Sequence, residues 1–236
     1  MTAKVTTGRY KWRWTLSAGA VAPALATAIA TLGTLAACSG GLHSDTPATQ
    51  VYVLRAAIHP RSELTHANTS LHVGRPIAGP GLNSDHILLV QPDHRMSYYV
   101  ASRWPADLPS VVEALTVDTL RSSGAWSSVQ DSASGFSSDY LLHIVIRRFE
   151  ADYSAGATAP EVHVVLDCTV GMRAGREVID SFVAEGSAAA SANRLGDVIS
   201  AFEEASNKAL DEIAVRSAQA VKTSQKVETP VPSITR

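Results

Sequence analysis

Three long alternating segments in succession constrain this chain more than any other feature. "DYLLHIVIRRFEADY", "EVHVVLDCTVGMR" and "REVIDSFVAEGSA" follow one another between Asp139 and Ala188. In the middle segment Val162, Val164, Leu166, Cys168 and Val170 fall at every second position, so they share one face of a strand. The last two segments meet at "RAGR", a hairpin-type turn with glycine at its tight position. The pattern predicts consecutive strands with one buried face.

Such a face needs a cover, and two amphipathic helices can supply it. "DLPSVVEALTVDTLRSSG" (107–124) places Leu108, Val111, Val112 and Leu115 at helical spacing, with Asp107 as cap and Gly124 as stop. A closing helix from near Asn193 puts Leu195, Val198, Ile199, Phe202, Ala209, Leu210 and Ile213 on one stripe. Earlier in the chain, "VYVLRA" (51–56), "HILLVQ" (86–91) and "RMSYYVA" (95–101) read as strands. "ELTHANTS" reads as loop, and "LHVGRPIAGPGL" as a short strand broken by a Pro/Gly turn. Strands interleaved with two helices predict the α/β or α+β type.

The N-terminal part has a different character. Residues 1–14 carry Lys4, Arg9, Lys11 and Arg13 without an acid, and residues 15–37 carry no charge. A basic start, an apolar run and a small-residue exit form the pattern of a secretory signal peptide. The competing reading is a membrane-spanning helix, which Pro23 and the many small residues make a weak anchor. Leu35-Ala36-Ala37-Cys38 resembles the lipobox of bacterial lipoproteins, which implies cleavage after Ala37 and a diacylglycerol on the Cys38 thiol. Each buried methylene contributes about 0.8 kcal/mol and stable attachment needs two or more chains, so covalent lipid can replace an apolar helix. Ser39 stands where inner-membrane retention would usually call for Asp, which by resemblance favours the outer membrane of a Gram-negative bacterium. Lipidation of Cys38 leaves Cys168 unpaired, and its place on an apolar strand face predicts a packing role.

Loss of residues 1–37 removes four of the 20 basic residues and none of the 22 acidic ones, leaving 16 against 22 and a formal charge of −6. That balance opposes nucleic-acid binding, which needs a basic face to displace counterions. Residues 38–49 read as a lipidated flexible tether. The folded unit is expected over 50–218, and 219–236, with two prolines and no apolar periodicity, reads as a free tail.

Neither a Gly-x-Ser-x-Gly elbow nor a phosphate-binding glycine loop occurs in the sequence. The eight histidines lack the i,i+4 pairing of a helical metal site. His143 and His163 lie on consecutive strands but read more simply as exposed cross-strand residues. Asp139, Glu150 and Asp152 cluster around Arg147 and Arg148 as surface ion pairs, and Trp104 and Trp126 read as core. No catalytic residue, metal site or cofactor is expected.

Three segments read together resemble one family: "LHVGRPIAGPGLNSDHILLV", "MSYYVASRWPADLPSVVEALTVDTLRSSGAWSSV" and "DYLLHIVIRRFEADYSAGATAPEVHVVLDCTV". A strand leads into a Pro-Gly turn, a second strand, an aromatic strand ending at Arg-Trp, a helix closed by Ser-Gly, and a strand ending in "RFEAD". This order is similar to that of the ABC-type transport auxiliary lipoproteins, and the match carries into "RLGDVISAFEEASNKALDEIA". The resemblance implies an α/β three-layer sandwich with a mixed sheet, similar to the N-terminal domain of TolB. It also implies a non-enzymatic, periplasm-facing lipoprotein working with an ABC permease, its ATPase and a mammalian-cell-entry substrate-binding protein. Such systems move phospholipids or other lipids between inner and outer membranes. Self-association is compatible with this role, and a structural or assembly lipoprotein of the envelope with the same fold is the alternative.

For partner docking, "SYYVASRW" offers Tyr98, Val100 and Ser102 to one face and Tyr99, Ala101 and Arg103 to the other. Exposed aromatic and Arg residues are enriched at binding hot spots. Tyr99 and Arg103, with the turn Gly79-Pro80-Gly81 at the sheet edge, are therefore the candidate docking residues. The alternative packs Tyr98, Tyr99 and Trp104 under the helices.

Cys38→Ala is expected to abolish incorporation of labelled palmitate and to shift the protein out of the outer-membrane fraction. A cleaved, acylated, outer-membrane variant would overturn the lipobox reading.

Overall fold

The computed structural model describes residues 48–57 and 67–228. The expected signal peptide, Cys38 and most of the tether lie outside the described residues, as does the end of the expected tail.

Nine strands among the described residues form one mixed sheet. They are β1 (Gln50–Val51), β2 (Ala67–Val73), β3 (Ile77–Ala78), β4 (His86–Val90), β5 (Met96–Arg103), β6 (Trp126–Gln130), β7 (Tyr140–Asp152), β8 (Glu161–Met172) and β9 (Glu177–Ala189). Helix α1 (Leu108–Ser123) lies between β5 and β6, and α2 (Leu195–Glu228) closes the chain. The mixed α/β sheet with two principal helices is the architecture the sequence predicts; because both helices lie on one face, the layers are two and not the three the resemblance implies.

Strand β7 organises the sheet. One edge pairs antiparallel with β8 along its whole length, and β8 pairs antiparallel with β9. The other edge receives β2, β3 and β4 in turn, all parallel to it. Beyond them β6 pairs with β2, and β5 and then β1 extend from β4. The alternation in β8 is as predicted, with Val162, Val164, Leu166, Cys168 and Val170 all buried. Cys168 is a free cysteine, and burial pushes its thiol pKa up to about 12.

The two helices touch each other and share the face carrying this apolar row. We call the opposite face, which includes Leu141, His143 and Val145 of β7, the open face. Asp107 caps α1 by accepting from the Ser110 N–H at 3.3 Å, and Gly124 ends the helix in the left-handed conformation at φ 68°. Both roles were legible in the sequence. Along α2, Ala201, Ala205 and Ala209 are buried opposite Phe182, Ala184 and Gly186 of β9. Small residues on both sides let the helix approach the strand closely. The polar side of α2 reaches over the free edge of β9: Lys208 Nζ donates to the Ser187 carbonyl at 2.8 Å, and Glu212 accepts from the Glu185 N–H at 3.3 Å.

Several boundaries differ from expectation. Of "VYVLRA" only Val51 lies in β1, after Gln50; the Tyr52 N–H still donates to the Arg103 carbonyl at 2.9 Å, and from Arg55 on the backbone is held by α2 instead of by a strand. The Arg55 N–H donates to Glu203 at 3.0 Å and the Ala57 N–H to Asn207 at 2.8 Å. Residues 67–70, read as loop, belong to β2, a polar strand held between β6 and β7. "WSSVQ" forms β6, which the sequence reading left unassigned because two serines interrupt its apolar pattern. Helix α2 runs on to Glu228, ten residues past the predicted end of the folded unit at 218, and Val221 within this extension is fully buried.

A Cβ added to Gly186 would lie 2.0 Å from the Ala205 carbonyl oxygen, a contact only backbone movement can relieve. Gly186→Ala is therefore expected to destabilise the domain by about 3 kcal/mol, measured by urea denaturation. A variant as stable as wild type would show that α2 sits farther from β9.

Candidate functional site

The end of β5 breaks the simple alternation expected for it. Ala101 has φ 53°, and the register against β4 shifts there, so that Tyr98 faces Leu88 while Arg103 faces His86. A bulge of this kind reverses which side chains face the core. Ser102 turns inward and Arg103 turns outward, onto the open face with Tyr98 and Val100. Trp104, which follows, is buried and packs edge-on against Phe149 and Phe202. Its N–H donates to the Asp85 carbonyl at 2.8 Å, which pins the end of the strand.

Tyr98 is 53% exposed and Val100 is 85% exposed. Strand β1 pairs Val51 with Arg103, which brings exposed Val51 beside them, while Val53, beyond β1, lines a concavity against α1 with Val111 and Leu115. Met96 completes the patch at the other end of β5. Of the ten large hydrophobic residues exposed among the described residues, Val51, Met96, Tyr98 and Val100 are four. Four of the ten exposed apolar side chains are thus gathered on one strand pair, a grouping larger than scattered surface residues give.

Polar groups frame the patch. The His86 ring stacks on Tyr98 with centroids 4.4 Å apart and planes 12° from parallel. Asp85 lies 3.6 Å from Arg103 and 4.0 Å from His86 Nδ1. These groups are roughly half exposed, so the ion pairs contribute little to folding and remain available to a partner.

The structure divides the predicted docking residues. Arg103 is exposed in the patch. Gly79-Pro80-Gly81 forms a type II turn: the Leu82 N–H donates to the Gly79 carbonyl at 3.1 Å, with Gly81 at φ 80°. This turn lies against β5, since a Cβ on Gly81 would fall 2.8 Å from Met96 Sδ. Tyr99 instead points to the helix side and is half-buried. The Tyr153 hydroxyl donates to Asn193 Oδ1 at 2.7 Å, so its oxygen accepts from Tyr99 at 2.9 Å. Burial first, and then Tyr153, push the Tyr99 pKa above the usual tyrosine range. The exposed aromatic residue is therefore Tyr98. Nothing in "YVAS" marks the bulge, because alanine has no preference for positive φ. The exposure of Val51 and Val53 was more legible, since they alternate with Tyr52 and buried Leu54.

The other candidates resolve as structural groups. Trp104 and Trp126 are buried. Arg148 pairs with Glu150 at 2.5 Å and Asp152 at 3.1 Å, while Arg147 pairs with Asp167. Asp139 accepts from both the N–H and the hydroxyl of Ser70 at 2.7 Å, and these bonds hold its carboxyl below the usual range. His143 and His163 are not neighbours: His143 faces Thr169 and His163 faces Glu150, at distant points of the β7–β8 ladder. Among the described residues no group of three His, Cys, Asp or Glu side chains is placed to hold a metal ion. Helices long and apolar enough to cross a membrane are likewise absent from the described residues.

Comparison with known proteins agrees with this architecture. A Xanthomonas campestris protein of the DUF330 family superposes with a TM-score of 0.69 at 22% identity, covering 75% of this chain and 99% of its own. A Chlamydia trachomatis protein described as hypothetical superposes with a TM-score of 0.50 at 10% identity, covering 66% and 99%. At these identities the likeness is one of fold. No curated protein matches the chain. The model of the ABC-type transport auxiliary lipoprotein component family matches residues 52–214, from the start of the patch to deep within α2. The chain belongs to that family of ABC transport auxiliary lipoproteins.

Proposed function

We propose that this chain is a non-enzymatic lipoprotein, anchored through Cys38 in the outer membrane of a Gram-negative bacterium and facing the periplasm. There it serves an ABC/mammalian-cell-entry-type system that moves phospholipids between the inner and outer membranes. Its partners are the mammalian-cell-entry substrate-binding protein and, with it, the permease and ATPase. Family membership supports the transport role. The observation that carries the docking role is the apolar patch on the open face of β1 and β5, rimmed by Arg103, His86 and the Gly79-Pro80-Gly81 turn. An aromatic ring and an Arg surrounded by aliphatic side chains form the composition that dominates binding energy at protein interfaces.

Co-purification of the lipidated protein in mild detergent, followed by mass spectrometry, tests this reading. Tyr98→Ala and Arg103→Ala are expected to reduce transporter recovery several-fold while melting within about 1 °C of wild type, as exposed positions do. Tyr99→Ala is expected to do the reverse, keeping recovery but costing about 2 kcal/mol of stability through lost packing and a lost hydrogen bond. If wild type captures no permease, ATPase or mammalian-cell-entry protein, the transport reading fails and an envelope-assembly role takes its place.

A further inference from the structure

The open face also carries a concavity, at the turn of the β8–β9 hairpin. Its volume is about 490 Å³, within the range of small-ligand sites. Leu141, Gly171 and Val178 form one row across β7, β8 and β9. Strands lie about 4.8 Å apart, so the outer two members of the row stand about 10 Å from each other. Leu141 and Val178 are both exposed walls, and Gly171 between them has no side chain. A Cβ there would lie 2.9 Å from the Glu177 carbonyl oxygen. The result is a slot with apolar sides and a backbone floor. Thr169 and His143 continue the floor along the strands, and Met172 lies beside the hairpin end.

That end is cationic. Arg173 and Arg176 both line the cavity, and neither has a carboxylate partner among the described residues. The Arg173 guanidinium donates to the Ser138 hydroxyl at 3.3 Å, and its backbone N–H to the Asp139 carbonyl at 2.9 Å. The nearby carboxylate of Asp139 is engaged by Ser70, which leaves Glu177 as the one acid in the lining. Arg176 also has φ 57°, in the left-handed region where a glycine would sit without strain. Two uncompensated guanidinium groups beside an apolar slot, in a chain with more acids than bases, call for a counter-charge from outside.

We infer that this concavity binds one anionic single-chain amphiphile, its alkyl chain in the slot over Gly171 and its charged head on Arg173 and Arg176. An inorganic anion would leave the slot unfilled, and a neutral lipid would leave the guanidinium groups unpaired. The inference deepens the transport reading and rests on it for the source of lipid, yet the two fail separately. A chain that captures the transporter but binds no amphiphile loses only this site.

The test uses the whole mature chain in unacylated form, as Cys38→Ser, in calorimetric titrations below the critical micelle concentration. Myristoyl lysophosphatidylglycerol is expected to bind saturably, about tenfold or more tighter than lysophosphatidylcholine of the same chain length, the worth of one or two charge-assisted hydrogen bonds. Inorganic phosphate alone is expected to bind more weakly than either. Arg173→Gln and Arg176→Gly should each weaken the anionic lysolipid about tenfold. Arg176→Gly should melt no lower than wild type because it relieves the positive φ. Leu141→Asn with Val178→Thr, both at exposed positions, should weaken both lysolipids alike. Equal affinity for the two lysolipids, phosphate binding as tight as the lysolipid, or unchanged affinity in the arginine variants would each overturn the site.

Discussion

The architecture depends on one irregularity in β7. The β7–β8 register shifts between Ile146 and Arg148, leaving Arg147 as an extra residue in the ladder. Up to that point Leu142, Ile144 and Ile146 fill the core from even positions; beyond it Phe149 and Ala151 do so from odd ones. Phe149 thereby stacks on Phe202 of α2 with centroids 5.3 Å apart, and Trp104 meets both rings edge-on at 6.1 and 5.3 Å. Aromatic pairs at such distances add about 1 kcal/mol each beyond the burial of their surface. The trio joins the end of β5, the second half of β7 and the closing helix. Without the bulge, Phe149 would face away from the core and Trp104 would lose one of its two ring partners.

This arrangement links core and surface. Trp104 in the core fixes the strand end from which Arg103 projects outward, so the open-face patch is positioned by residues that never reach it. The stability of the domain resides on the helix side of the sheet. The open side keeps exposed valines, Met96 and Tyr98 that folding does not require, together with ion pairs worth little energetically. Exposed apolar surface of this kind is more economically explained by binding than by folding.

What could be read from the sequence follows the same division. The buried strand face of Val162 to Val170, the Asp107 cap, the Gly124 stop and the apolar stripe of α2 were all legible, because local periodicity and capping chemistry specify them. The Pro80-Gly81 turn was legible too. The choice between Tyr98 and Tyr99 was not, since it depends on a bulge at Ala101 that tertiary pairing imposes. Strand β6 and the first half of β2 were missed because Ser127, Ser128, Asn68 and Ser70 interrupt any apolar alternation, and only the neighbouring strands hold these segments in the sheet. The extra length of α2 was missed because "KTSQKVE" has no apolar stripe beyond Val221.

The cover that α2 places along β9 has a consequence for assembly. An outer strand of 13 residues is ordinarily an invitation to recruit another strand by backbone pairing. Lys208 and Glu212 already occupy outward-facing backbone groups at Ser187 and Glu185, so an incoming strand would first have to displace the helix's own side chains. At another margin β1 is the only cover among the described residues, pairing with the last two residues of β5, Ser102 and Arg103. The borders of the sheet are thus unequal: along β9 the helix's own side chains occupy backbone groups, whereas no strand among the described residues covers the outer edge of β5 beside Tyr98 and Val100.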